Sequence, residues 1–298
     1  NFLAYTRAHE EAADQAALGY LDTLNVSADG LLKTFALLQR RERMQGRSGD
    51  PYMRSHPLSS ARIEHVRNHV EHSKIPEGSY PKSYDAIHKR MGAKLFRFIQ
   101  SPERTLQKYP LADKSGAARM ARAVAYYKMP DVDRALAEMD SLIAESPNDP
   151  FLHELKGQIL FESNRVDDAL AAYARAAKLL PDSALILTDL AKVELAQPKA
   201  NISSAIAHLE KANNLDNSNA YSWRLLPTAY GRSGNMGRSY LALAEEAILQ
   251  NKPDDALKQV NQALQSLKEG TPARQRAQDV KSLAIEMQRT QKEMESAF

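Results

Sequence analysis

In Tyr5-Thr6-Arg7-Ala8-His9-Glu10-Glu11-Ala12-Ala13-Asp14, Arg7, Glu10 and Asp14 are spaced by three and four residues. On a helix that spacing puts all three side chains on one face. On spacing alone such a face is a solvated ladder of charge pairs. Further along, Ser55-His56-Pro57-Leu58-Ser59-Ser60-Ala61-Arg62 sets a histidine and an arginine at the entrance to another helix. On residue type alone His56 and Arg62 there fit a helix N-terminus with a capping hydrogen bond. His65, His69 and His72 follow at helical spacing, but Val66 stands where an H-E-x-x-H motif has its Glu. With Glu64, Arg67, Asn68 and Glu71 among them, these histidines read as a polar helix face, an adventitious metal site being the alternative.

These side chains must be positioned by helices. Tyr5–Asn25 repeats Ala13, Ala17 and Leu21 on one side. Ser27-Ala28-Asp29 opens a second helix reaching about Gln45, with Leu31, Leu32, Phe35 and Leu38. A third runs from Ser59 or Ser60 to about His72, and Pro76, Gly78 and Pro81 then break the helical pattern. Ser83–Ile99 and Pro102–Lys108 read as linking helices.

From residue 116 a period governs the chain. Pro147 and Pro181 stand 34 residues apart, as do Ala135 and Ala169, Met139 and Tyr173, and Leu142 and Ala176. Gly157 falls where the first helix of a pair must come close to its neighbour. Residues 116–149 and 150–183 therefore read as two tetratricopeptide-type repeats. A third begins at about Ala184, with two extra residues in its turn shifting Ala205, Leu209 and Ala212. A fourth begins near Ala220 with Trp223, Leu226 and Tyr230. Its second helix also serves as the first of a further pair carrying Ala256, Val260 and Ala263. A capping helix, about Pro272–Glu295, follows. Tyr126, Tyr127, Trp223, Arg224 and Tyr230 are candidates for a binding groove, although aromatics in such repeats more often belong to the core.

Glu10, Asp14 and the His-Pro-x-x-x-x-Arg run resemble, in order and spacing, elements of the zinc metalloprotease family that includes HtpX, BepA and the CAAX prenyl proteases. The resemblance implies that Glu10 is a zinc ligand and that Asp14 orients a ligating histidine. It places His56 near the metal, as reversible ligand or oxyanion donor, with Arg62 assisting the oxyanion or anchoring the loop to a carboxylate. The two histidines of H-E-x-x-H and its general base are absent from this sequence. The chain is therefore expected to be the C-terminal part of a longer enzyme and inactive alone. Ala12 stands where relatives often carry another acid.

The expected fold is all-α: the C-terminal helical half of a zincin-type protease domain (residues 1–80), linking helices (81–115) and a tetratricopeptide-repeat solenoid with its cap (116–298). The implied function is zinc-dependent hydrolysis of peptide bonds in misfolded or envelope proteins, the repeats recruiting substrates or outer-membrane assembly proteins. The implied location is the periplasm, in outer-membrane quality control, with peripheral membrane association through the missing part. A non-catalytic protein-binding scaffold is the alternative.

Composition narrows the classes. Of 298 residues 43% are hydrophobic and 7% aromatic, which suits a folded helical protein. The net charge of +3 is too small and scattered for nucleic-acid binding. With no cysteine there is no disulfide or thiolate site. No run approaches the roughly 18 apolar residues of a membrane-spanning helix.

Overall fold

The computed structural model describes residues 2–45 and 60–296, and every regular element among them is a helix. In chain order these are α1 (Phe2–Thr23), α2 (Asp29–Gln45), α3 (Ser60–His72), α4 (Ser83–Ile99), α5 (Pro102–Lys108), α6 (Gly116–Lys128), α7 (Val132–Glu145) and α8 (Pro150–Glu162). Then come α9 (Val166–Leu179), α10 (Ala184–Ala196), α11 (Ile202–Leu215), α12 (Ala220–Arg232), α13 (Met236–Leu249), α14 (Pro253–Ser266) and α15 (Pro272–Ser296). The chain divides into two compact units, Asn1–Met91 and Gly92–Phe298, the division falling within α4. Among the described residues no helix is long and apolar enough to cross a membrane.

In the first unit α3 packs on α1 and α2. Its apolar core is small: Leu18, Ala28, Phe35, Ile63 and Val66 are buried, with Leu21, Leu31, Leu32 and Val70 around them. The turn after α1 needs a left-handed residue, supplied by Asn25 (φ 53°). The break after α3 folds back onto this turn. Gly78 (φ 74°) gives its N–H to Asp29 Oδ1, and Ser27 N–H donates to Ser79 O.

The second unit is a solenoid of helix hairpins, α6/α7, α8/α9, α10/α11 and α12/α13, each packed on the next. Its period is visible in the packing. Ala135, Ala169 and Ala205 are each fully buried in the second helix of a pair, with Met139, Tyr173 and Leu209 one turn on. At Gly157 an added Cβ would lie 2.7 Å from the Tyr173 ring, so only glycine permits this approach. Side-chain caps start the helices: Ser115, Asp131, Asp149, Ser183, Asn201, Asn219 and Asn235 each accept from a backbone N–H of the first turn. Asn164, Gly234 and Asn251 take the left-handed conformation between helices.

After α12 the pairing changes. Helix α13 packs against both α12 and α14, and α15 covers α14 and α13. One helix thus belongs to two hairpins, as the apolar positions of Met236–Gln250 imply.

Candidate functional site

Glu10 and Asp14 lie on the face of α1 that α3 covers. That face continues into Leu18, so the carboxylates enter the same interface as the apolar core. Arg62 is the third residue of α3 and reaches back across it. Its Nε donates to Asp14 Oδ2 at 2.6 Å and its Nη2 to Oδ1 at 2.8 Å. Nη1 lies 2.7 Å from Glu10 Oε2. The Phe35 ring of α2 closes the remaining side, 5.2 Å from Cζ. All three helices therefore meet at one guanidinium.

The cluster is dry: Arg62 is 7% exposed and Asp14 5%. Hydrogen bonds donated to Asp14, then the nearby charges of Asp14 and Glu10, push the Arg62 pKa above its ordinary value and outweigh desolvation. Two roles are open to Arg62 on sequence, and the geometry is that of an anchor to carboxylates. The fork-to-fork pairing with Asp14 is the arrangement that fixes both groups in orientation as well as distance.

The structure brings together Glu10, Asp14 and Arg62. His56 lies outside the described residues, as does the side chain of Arg7. The α3 histidines do not converge: His69 Nε2 lies 3.0 Å from Asp22 Oδ1, and His72 Nδ1 lies 2.8 Å from Asn68 O. Among the described residues no three His, Asp or Glu side chains are placed to hold a metal. Zinc needs three protein ligands at a catalytic site, whereas Glu10 offers one carboxylate, already paired with Arg62. These residues alone do not make a zinc site.

Residues 1–70 match the model of peptidase family M48. The matched segment contains Glu10, Asp14, His56 and Arg62, and M48 peptidases are generally zinc-dependent. No curated protein matches the chain. Among solved structures the chain is similar to MamA, at 17% identity and a TM-score of 0.42 over 57% of this chain and 96% of that one. It is also similar to PilF of Pseudomonas aeruginosa, at 20% identity and 0.43 over 65% and 99%. A thermophilic TPR protein of Thermus thermophilus matches at 17% and 0.36 over 56% and 98%. The solenoid is defined by its helix pairs and their period. The chain joins an M48-type segment to tetratricopeptide-type repeats.

Several buried polar groups gave no signal in the sequence. Arg122, 2% exposed, pairs with Glu138 at 2.6 Å and donates to the carbonyls of Pro110 and Asp113, tying the segment before α6 to the first hairpin. Glu194 accepts from Ser204 Oγ and lies 2.9 Å from His208 Nδ1, so His208 has a partner that the sequence pattern does not reveal. Of the candidate groove aromatics, Tyr126 and Tyr230 are buried in the core, while Trp223 is half-buried.

Proposed function

We propose that this chain is part of a zinc-dependent endopeptidase of the periplasm that cleaves misfolded or envelope proteins, with its repeats recruiting substrate or partner proteins. The observation that carries the reading is the coincidence of the M48 match with the buried Glu10–Arg62–Asp14 cluster. In this reading Glu10 is one metal ligand, and the others come from an H-E-x-x-H helix that this sequence does not contain. A bound zinc would supply Lewis-acid activation of water. Arg62 is a positioning residue: it locks Asp14 and restricts the Glu10 carboxylate to few orientations, which lowers the ordering cost of ligation. Asp14 orients a ligating histidine, and His56 acts beside the metal as ligand or oxyanion donor.

The test uses the intact protein, including its H-E-x-x-H segment. It should contain about one zinc per chain and cleave casein. Glu10→Gln should abolish both, and unchanged zinc content in that variant would remove Glu10 from the ligand set. His56→Ala should slow cleavage while leaving the melting temperature in place. The reverse outcome makes His56 a helix cap. If the intact protein has neither zinc nor proteolysis, the scaffold reading takes over.

A further inference from the structure

Helix α4 keeps its large apolar side chains in water. Tyr84, Ile87, Met91, Leu95 and Phe98 are each 43–57% exposed, and Ile99 is 74% exposed. At about 100° per residue the first five positions fall within about 80° of one another, with Ile99 just beyond their edge. They make one stripe, and because one continuous helix carries it, helical spacing alone aligns it. Among the described residues no helix packs closely against α4. What is docked is the opposite face: Ala93 is buried, and Phe96 meets the Tyr109 ring edge-on at 5.9 Å.

A contiguous exposed stripe of this kind marks a surface that something covers, and the charges beside it say what. Helix α4 carries Lys89, Arg90, Lys94 and Arg97 against a single acid, Asp85. The same spacing sets the positions of Arg90, Lys94 and Arg97 along one flank of the stripe. Asp85 falls on the other side of the helix, where its carboxylate accepts from the Tyr80 hydroxyl at 3.0 Å. The cores of protein interfaces are depleted in charged residues. Cations along the edge of a large apolar stripe are instead the pattern of a helix at a bilayer surface.

We infer that α4 lies in the surface of a bilayer containing anionic phospholipid, its stripe among the acyl chains and its basic flank at the phosphate headgroups. The bilayer supplies both halves of the complement: hydrocarbon for the stripe and negative charge for the flank. Tyr84 brings a ring with a polar tip, which suits the boundary between the two. With 17 residues, five of them charged, the helix lies on the membrane rather than across it. The inference goes beyond the protease reading and needs nothing from the zinc chemistry.

The test is flotation of the intact protein, including its H-E-x-x-H segment, with vesicles of phosphatidylcholine alone or mixed with phosphatidylglycerol. The protein should rise with the anionic vesicles, stay behind with the neutral ones, and be released by salt. Ile87→Ser combined with Leu95→Ser removes two exposed apolar side chains, so the melting temperature should hold while partitioning falls at least about tenfold. Lys94→Gln should weaken partitioning less, through charge alone. Hydrogen exchange maps the contact without mutation: residues 83–99 should gain protection when anionic vesicles are added. No flotation, equal flotation with neutral vesicles, unchanged partitioning of the double variant, or unmoved exchange over 83–99 would overturn the inference. So would flotation of the 298-residue chain with none by the intact protein, because the stripe would then be the seat of another protein segment. Should the double variant fail to fold, the exchange measurement decides alone. None of these readouts involves zinc or cleavage, so failure here leaves the protease reading standing, and loss of that reading leaves this one.

Discussion

The two units are held together by opposite means. In the repeats the interior is apolar and modular: alanines at fixed intervals let helices approach, and one large side chain per hairpin fills the gap. In the N-terminal unit five buried apolar residues surround an arginine whose guanidinium binds two carboxylates and faces an aromatic ring. An apolar contact is non-directional and tolerates repacking. A buried bidentate ion pair costs desolvation and contributes little net stability, yet it admits one geometry. The difference teaches that the repeats are built for shape, and the M48-type segment for the placement of particular atoms.

The sharpest way to break that contrast is Arg62→Met. It keeps bulk in the interface but strands Asp14, and partly Glu10, without a countercharge. Leaving a buried charge unpaired costs about 3–5 kcal/mol, and the partial exposure of Glu10 points to the lower end. Hydrogen exchange followed by mass spectrometry should show α1 and α3 losing protection while α6–α15 keep theirs. Equal protection in the parent and the variant would mean that the ion cluster is not what orders this unit.

The repeat counterpart is Gly157→Ala. Its new methyl would meet the Tyr173 ring, which is 1% exposed and has no room to retreat. Overpacking of this kind costs about 1–3 kcal/mol. Tyr173→Leu added to Gly157→Ala should restore part of the loss, because the two changes compensate in volume. A double mutant no better than the sum of its parts would show that the contact is not the one setting the helix spacing. The damage belongs to the solenoid, so protection of α1 and α3 should not change.

Much of this architecture could be read from the residues. The 34-residue period survives because hairpin stacking demands small residues at fixed places, and Gly157 with Tyr173 is the clearest instance. Ser27-Ala28-Asp29, Ser59 or Ser60 and the break at Pro76, Gly78 and Pro81 located helix ends in the N-terminal unit because each answers a local need of the backbone. The shared role of α13 was legible as an apolar pattern that served two partners. The convergence of Arg62 on Asp14 was not: 48 residues separate them, and only packing of α3 on α1 brings the guanidinium onto that carboxylate. Arg122 was invisible for the same reason, since most of its partners are backbone carbonyls that leave no trace in residue type.

The mildest test probes charge at the edge of the N-terminal unit. Hydrogen bonds from Lys33 and then Ser27, with a further one from the Gly78 N–H, hold the Asp29 carboxyl at about 2, below the usual 3.8. A carboxyl lowered on folding adds stability that is fully present above its unfolded pKa and lost as pH falls through its folded one. Asp29→Asn keeps an acceptor for Gly78 but removes the charge. Near neutral pH it should lower the melting point of this unit by no more than about 2 °C, since Lys33 is largely in water and such pairs contribute little. Between pH about 4 and about 2 the gap between parent and variant should close as Asp29 itself is neutralised. A gap that persists unchanged to the acid end would mean that Asp29 acts through the shape of its turn contacts, and that charge placement in this unit is confined to the cluster around Arg62.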